Sequence, residues 1–257
     1  MIKTDSDGNC VWSKTYGGSK YEFGNSVIQT SDGGYIITGD TNSFKSGDYY
    51  DIYLIKTDSN GNCVWSKTYG GYDDEHGEAV IQTLDGGYII VGETESYGAG
   101  GKDLYLIKTD SNGSCVWSKT YGGIGDEYGY SIEQTLDGGY IITGRTNSYG
   151  NGNFDLYLIK TDGNGECEWI KTYGGNDDDY GKSVKQTKDG EYIIAGSKDL
   201  IPFLPPTVGD VYLIKTDGTD GNDVPCPEPS PTQSPTLIQL PPSLKIITNY
   251  PNPFKDK

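Results

Sequence analysis

Asp103-Leu-Tyr-Leu-Ile-Lys-Thr-Asp-Ser-Asn-Gly-Ser-Cys-Val-Trp-Ser-Lys-Thr-Tyr-Gly-Gly123 is the stretch on which the fold turns. Two runs of β-branched and aromatic residues flank Asp110-Ser-Asn-Gly113, and Asn-Gly between such runs is the strongest short-range hairpin signal. The stretch recurs. Ile-Lys-Thr-Asp begins at Ile2, Ile55, Ile107, Ile159 and Ile214, at offsets of 53, 52, 52 and 55 residues. Each of the first four copies runs on into Cys-x-Trp-x-Lys-Thr-Tyr-Gly-Gly. A period near 50 residues built from strand formers is a repeated β unit rather than a set of independent domains.

Working outward from the stretch completes the unit. Glu78 to Thr83 reads as a first strand, Leu84-Asp-Gly-Gly as a turn, and Tyr88 to Gly92 as a second strand. Glu93 to Lys102 is a Gly-rich loop, and the quoted hairpin supplies strands three and four. No segment carries the i, i+3, i+4, i+7 apolar pattern of an amphipathic helix. The expected class is all-β, made of four-stranded antiparallel meanders. Strands two and three are apolar on both faces, as in Tyr35-Ile-Ile and Ile52-Tyr-Leu-Ile, so a neighbour must cover each face. Radial stacking as a β-propeller satisfies this. The small residues Gly24, Ser26, Ala79, Gly129, Ser131, Gly181 and Ser183 suit an innermost first strand, which leaves the Trp strand outermost. A linear β stack is the alternative.

The units Gly24–Gly71, Gly77–Gly123 and Gly129–Gly175 are complete, whereas Gly181 to Asp217 lacks its Trp strand. The free Trp strand at Cys10–Gly18 could complete it and close a ring of four blades. Ile2 to Asp5 would then compete with Val211 to Asp217 for one place, so an open arc of a larger ring stands beside the closed reading. An open arc exposes strand edges and invites self-association. The repeat domain is expected over 1–217, an extended Pro-rich linker over 218–242, and the truncated start of a further domain over 243–257. Nine of the twelve prolines follow Asp217.

Composition narrows the function. The 257 residues carry a formal charge of −17, with 38 Gly and 22 Tyr but one His and one Met. That balance opposes nucleic acid or an anionic membrane as partner, since both need positive potential. No apolar run reaches the roughly 18 residues of a membrane span. The start lacks the charged and apolar regions of a signal peptide, and because Ile2 already lies inside a repeat the chain is expected to be a fragment. Cys10, Cys63, Cys115 and Cys167 share one repeat position, too far apart between units for disulfides. They read as small buried hydrophobes, and Cys226, in the Pro-rich tail, as an exposed thiol.

The repeat Trp-Ser-Lys-Thr-Tyr-Gly-Gly … Gln-Thr-x-Asp-Gly-Gly-Tyr-Ile-Ile-x-Gly … Tyr-Leu-Ile-Lys-Thr-Asp resembles a secreted repeat of bacteria and archaea, over roughly residues 1 to 217. The resemblance implies propellers of surface or exported proteins, mostly without an assigned activity. The ending Asn249-Tyr-Pro-Asn-Pro-Phe254 resembles the opening of the C-terminal sorting domain of type IX secretion cargo. Together they imply an extracellular or cell-surface location. Neither brings a catalytic residue.

The candidate sites follow from the variable loops. Phe44, Tyr97 and Tyr149 are the loop aromatics expected to contact a glycan or protein ligand. The loop after the Trp strand carries Asp73, Asp74 and Glu75 in one unit, Asp126 and Glu127 in the next, and Asp177, Asp178 and Asp179 in the third. Such carboxylates could hold Ca²⁺, which prefers oxygen ligands, or form a solvated acidic rim; no other cofactor is implied. The Asp-Ser-Asn-Gly hairpins lack the twelfth-position Glu of a Ca²⁺ loop and read as capped turns. His76 falls where other units have Phe23, Tyr128 and Tyr180, so the position reads as packing or stacking. The insertion Leu200-Ile-Pro-Phe-Leu-Pro-Pro206 reads as a cap on an incomplete blade or a protein-contact patch. No nucleophile elbow, phosphate loop or zinc-protease motif is present, so the expectation is a non-enzymatic binding module. A structural spacer of an envelope or matrix is the alternative; a hydrolase whose active site lies in missing sequence is the third reading.

Overall fold

The computed structural model describes residues 1–44, 48–200, 209–226 and 238–239. The chain starts with a short hairpin, β1 (Ile2–Thr4) and β2 (Cys10–Ser13). Sheet I follows with β3 (Glu22–Gln29), β4 (Tyr35–Thr41), β5 (Asp51–Thr57) and β6 (Cys63–Tyr69). Sheet II holds β7 (Glu75–Gln82), β8 (Tyr88–Thr94), β9 (Asp103–Thr109) and β10 (Cys115–Tyr121). Sheet III holds β11 (Glu127–Gln134), β12 (Tyr140–Thr146), β13 (Asp155–Thr161) and β14 (Cys167–Tyr173). Sheet IV has three strands, β15 (Asp178–Gln186), β16 (Tyr192–Leu200) and β17 (Asp210–Thr216). Each sheet is an antiparallel meander in chain order. The chain is therefore all-β, built from repeated four-stranded antiparallel sheets, as the period predicts.

The recurring motifs are the contacts that build one unit and join it to the next. The Lys56 ammonium, nearly buried, meets Asp32 of the preceding turn at 2.8 Å and donates to its neighbour's carbonyl on Thr57. Lys108–Asp85 and Lys160–Asp137 repeat this pairing in sheets II and III. The Asp58 carboxylate accepts the amides of Asn60 and Asn62, capping its turn. The Tyr69 hydroxyl crosses to the next sheet and donates to the Gly113 carbonyl at 2.7 Å, and Tyr121 does the same to Gly165. Gly113 has φ of 74°, and a Cβ there would meet the Trp65 ring at 2.8 Å. Trp65, Trp117 and Trp169 are half-buried and pack against the core, Trp65 and Trp117 edge-on to Tyr88 and Tyr140.

The apolar core lies between sheets. Ile36, Ile52, Leu54 and Tyr69 on the far side of sheet I pack with Val80, Tyr88, Ile90, Tyr105 and Ile107 on the near side of sheet II. The same layer recurs between II and III and between III and IV. Burying both faces of the central strands removes the residues the sequence leaves apolar on both sides.

Of the two readings of the ends the closed ring is not found, and the cysteine expectations meet corrections. The Trp strand at Cys10–Ser13 does not complete sheet IV; it pairs with β1, and among the described residues no strand pairing joins this hairpin to β17, so the sheets are not closed. Cys226 is not an exposed thiol but is disulfide-bonded to Cys167. The reason is local: β18 (Asn222–Val224) adds to the outer edge of β14, which carries Cys226 to 5.7 Å (Cα–Cα) from Cys167. The other three repeat cysteines are free, and Cys10 is exposed rather than buried. A second tail strand, β19 (Ile238–Gln239), adds to β6 within the stretch read as linker. The sorting-domain resemblance at 249–254 and most of the insertion at 200–206 lie outside the described residues.

Candidate ligand-binding face

The first strand of every sheet carries a β-bulge at the same place, between Gly24 and Ser26, Gly77 and Ala79, Gly129 and Ser131, and Gly181 and Ser183. A bulge leaves one residue outside the ladder and re-aims its side chain. The bulged residues are Asn25, Glu78, Tyr130 and Lys182, four different chemistries at one repeat position. The neighbouring position varies too, as Phe23, His76, Tyr128 and Tyr180. Their direct cross-strand partners are Asp40, Glu93, Arg145 and Ser197. The position before the third strand holds Tyr50, Lys102 and Phe154 in sheets I to III. Invariant neighbours hold this geometry. A Cβ on Gly92, for instance, would lie 1.8 Å from the His76 carbonyl oxygen.

These variable side chains meet across the sheets. At one end His76 Nδ1 lies 3.3 Å from Asp40 Oδ2, and that hydrogen bond raises the imidazole's pKa against the opposing effect of burial. Asp40 also accepts the Gly77 amide and the Asn25 side chain. Glu93 is 5% exposed. Burial pushes its carboxyl up to about 7; the neighbouring His76 and Lys102 oppose the shift, and Glu78 and Asp40 add to it. Glu93 Oε2 has no hydrogen-bond partner among the described residues. Lys102 stands 3.9 Å from Glu93 and 3.3 Å from Glu95.

At the other end Arg145 is enclosed by rings. Its guanidinium carbon sits 4.2 Å from the centre of Tyr128, 4.3 Å from Phe154 and 4.7 Å from Tyr180. Its Nε is buried and unpartnered. Lys182 Nζ lies 3.6 Å over Tyr130, and burial beside Arg145 lowers its pKa. Lys102, 5.5 Å over Tyr128, links the acidic and the cationic–aromatic ends. Cation–π contacts of this kind contribute about 0.5–2 kcal/mol each. The result is a polar, ring-lined face. Anionic, cationic and aromatic groups thus lie side by side on it.

The residues singled out from sequence lie elsewhere. The Tyr97 hydroxyl donates to the Gly70 carbonyl and its ring packs against Tyr105; Tyr149 repeats this with Gly122 and Tyr157. Phe44 packs against Tyr53. The acidic loops are tied into the backbone. Glu75 accepts the Gly71 amide and the Thr94 hydroxyl, and Glu127 accepts Gly123 and Thr146. Asp74 accepts the Tyr50 amide, and Asp126 that of Lys102. Asp178 accepts the Phe154 amide and Asp179 that of Gly175. Asp73 donates its own amide to Ser96, and Asp177 is partly exposed. Among the described residues no group of three or more His, Cys, Asp or Glu converges as a metal site. Sequence reasoning passed over Asp40, Glu93, Arg145 and Lys182. The available signal was chemical change at a fixed repeat position, Gly39-Asp-Thr, Gly92-Glu-Thr and Gly144-Arg-Thr.

No family model matches the chain. The regulatory protein FlaEY of Caulobacter vibrioides is similar over 174 residues at 23% identity, a match covering 58% of this chain and 18% of that protein. The chain thus spans less than a fifth of that relative's length.

Proposed function

We propose that this chain is a non-enzymatic binding module of an exported or cell-surface protein, its sheets arranged as blades of a β-propeller. It takes a glycan or protein ligand on the face where the bulge positions meet. The observation that carries the reading is the contrast between constant and variable positions. Pairing, turns and core repeat from sheet to sheet, while Glu78, Tyr130, Lys182, Glu93 and Arg145 differ and converge. A scaffold has no packing reason to vary there, and charged and aromatic side chains gathered on one face suit recognition of a polar ligand. The propeller arrangement is supported by the packing of the first strands β3, β7, β11 and β15 in succession, each against the next. The repeat and sorting-domain resemblances support export.

Glycan and protein-ligand arrays probed with the chain and with Arg145→Ala test the proposal. Binding that the substitution abolishes while the chain still unfolds cooperatively supports this face. Binding that survives both Arg145→Ala and Glu93→Gln places the ligand elsewhere. Absence of binding above background favours the structural spacer.

A further inference from the structure

Each bulge glycine inside the array is a hole filled by the sheet before it. A Cβ on Gly77 would meet Thr38 at 2.6 Å and Ile52 at 2.9 Å; on Gly129 it would meet Val91 at 2.5 Å and Leu104 at 2.9 Å; on Gly181 it would meet Thr143 at 2.0 Å and Leu156 at 3.0 Å. The knobs are always the same two repeat positions, one on the second strand and one on the third. At Gly24 the hole is empty: the nearest atom is Ile37 of its own sheet, at 3.9 Å. Around it lies an apolar cavity of about 340 Å³, lined among others by Met1, Tyr16, Phe23, Val27 and Tyr53.

The N-terminal hairpin explains the cavity. Trp12 stands edge-on to Tyr35 and the Tyr16 hydroxyl donates to Gly61, as Trp65 and Tyr69 do one sheet on. β1 and β2 therefore correspond to the outer half of a unit, and among the described residues no inner strand pairs with them. The other end of the array carries the complementary fragment. Sheet IV has the three inner strands and no Trp strand. Its knob positions, Ala195 and Val211, are exposed, Val211 at 89%, and the adjoining Leu213 at 64%. Their equivalents Val91, Leu104 and Leu106 are fully buried under sheet III.

We infer that the far face of sheet IV docks on the near face of sheet I of a second copy of this chain, with Val211 entering the Gly24 hole. The two surfaces are halves of an interface that the molecule already makes three times internally, which is what selects a second copy as the occupant. β17 carries the same Ile-Lys-Thr as β1 but is seven residues long against three. It takes the place of β1 beside β2 and gives sheet IV its missing fourth strand. The contact is head-to-tail, so copies add until the array closes on itself, and radially arranged blades favour closure after few copies.

The full chain is examined by sedimentation velocity and light scattering across a concentration series, alone and with Val211→Asp and Gly24→Leu. Val211 is on the surface and Gly24 has open space around it, so both variants fold as monomers; thermal melting checks this, and Leu213→Asp is the reserve substitution. The wild-type chain should associate with rising concentration. Each variant alone should lose association. Mixed one to one, they should form a dimer that goes no further, because each retains the surface the other lacks. A wild-type chain that stays monomeric, a Gly24→Leu chain that still dimerises, or a mixture that remains monomeric overturns the inference.

Discussion

Glu93 has an ionisation shifted by its surroundings, and its consequence for stability has a definite sign. Its folded pKa of about 7 lies above the ordinary glutamate value of 4.5. Between those values the native state holds a proton that the unfolded chain has lost, so stability falls as pH rises through the window and the loss is complete above the folded pKa. Asp103, pushed up to about 7, and Asp155, pushed up to about 6, both chiefly by burial, act in the same direction. The melting temperature is therefore expected to decline from about pH 5 to about pH 8, with Glu93→Gln flattening part of the slope. An identical slope in the variant would remove Glu93 as a source. Asp32 has the opposite sign: hydrogen bonds from Lys56, Thr30 and the Gly34 amide bring it down to about 2. Its contribution is present above the unfolded value near 4 and is lost as pH falls through 2. Asp32→Asn leaves Lys56 nearly buried with a weaker partner. Because Asp32 is itself largely exposed, the expected cost is only about 1–2 kcal/mol by denaturant titration.

Strands and their connections carry two further expectations. Gly92 faces the His76 carbonyl so closely that Gly92→Ala must break the bulge or part β7 from β8, a loss on the order of 3 kcal/mol or more. Gly24→Ala, at the equivalent end of β3, meets nothing nearer than 3.9 Å and should change stability by no more than about 0.5 kcal/mol. Equal costs at these two glycines, which occupy different repeat positions, would mean that packing does not set them. The tail strand β18 is held to β14 by Cys167–Cys226, by Lys171–Asp223 at 2.6 Å and by buried Val224. Thiol titration of the denatured, unreduced chain should find three free thiols, and Cys226→Ser should cost about 2–4 kcal/mol. Five free thiols would show that β18 does not dock as described.

Across the whole molecule, cover is unequal. Sheets II and III are packed on both faces. Among the described residues, the near face of sheet I is only partly covered by the N-terminal hairpin, and the far face of sheet IV is exposed. Each sheet packs mainly against its neighbours, so local opening should start at the ends. Hydrogen exchange is expected to be slowest in β8, β9, β12 and β13 and fastest in β1, β2 and β17. If a second copy covers the ends, protection in β17 should rise with protein concentration, and in Val211→Asp it should not.

The repeat period, the hairpin turns and the two-sided apolar strands were sufficient to determine the all-β class and the strand order within each sheet. Those depend on short-range turn chemistry and on a side-chain period of two, both local in sequence. Tertiary structure alone decided how the ends behave and where the variable residues meet. Cys10–Ser13 is as good a Trp strand as any other; the surplus Ile-Lys-Thr-Asp showed two strands competing for one place beside it, and only the pairing of β1 with β2 decided between them. Cys167 and Cys226 are 59 residues apart, and only the addition of β18 to β14 brings them together. Arg145, Glu93 and Lys182 lie on three different sheets and look like ordinary surface charges in the sequence. The bulge frees Lys182 from its ladder, Glu93 and Arg145 lie on the second strands opposite His76 and Tyr128, and the packing of one sheet on the next makes them a site.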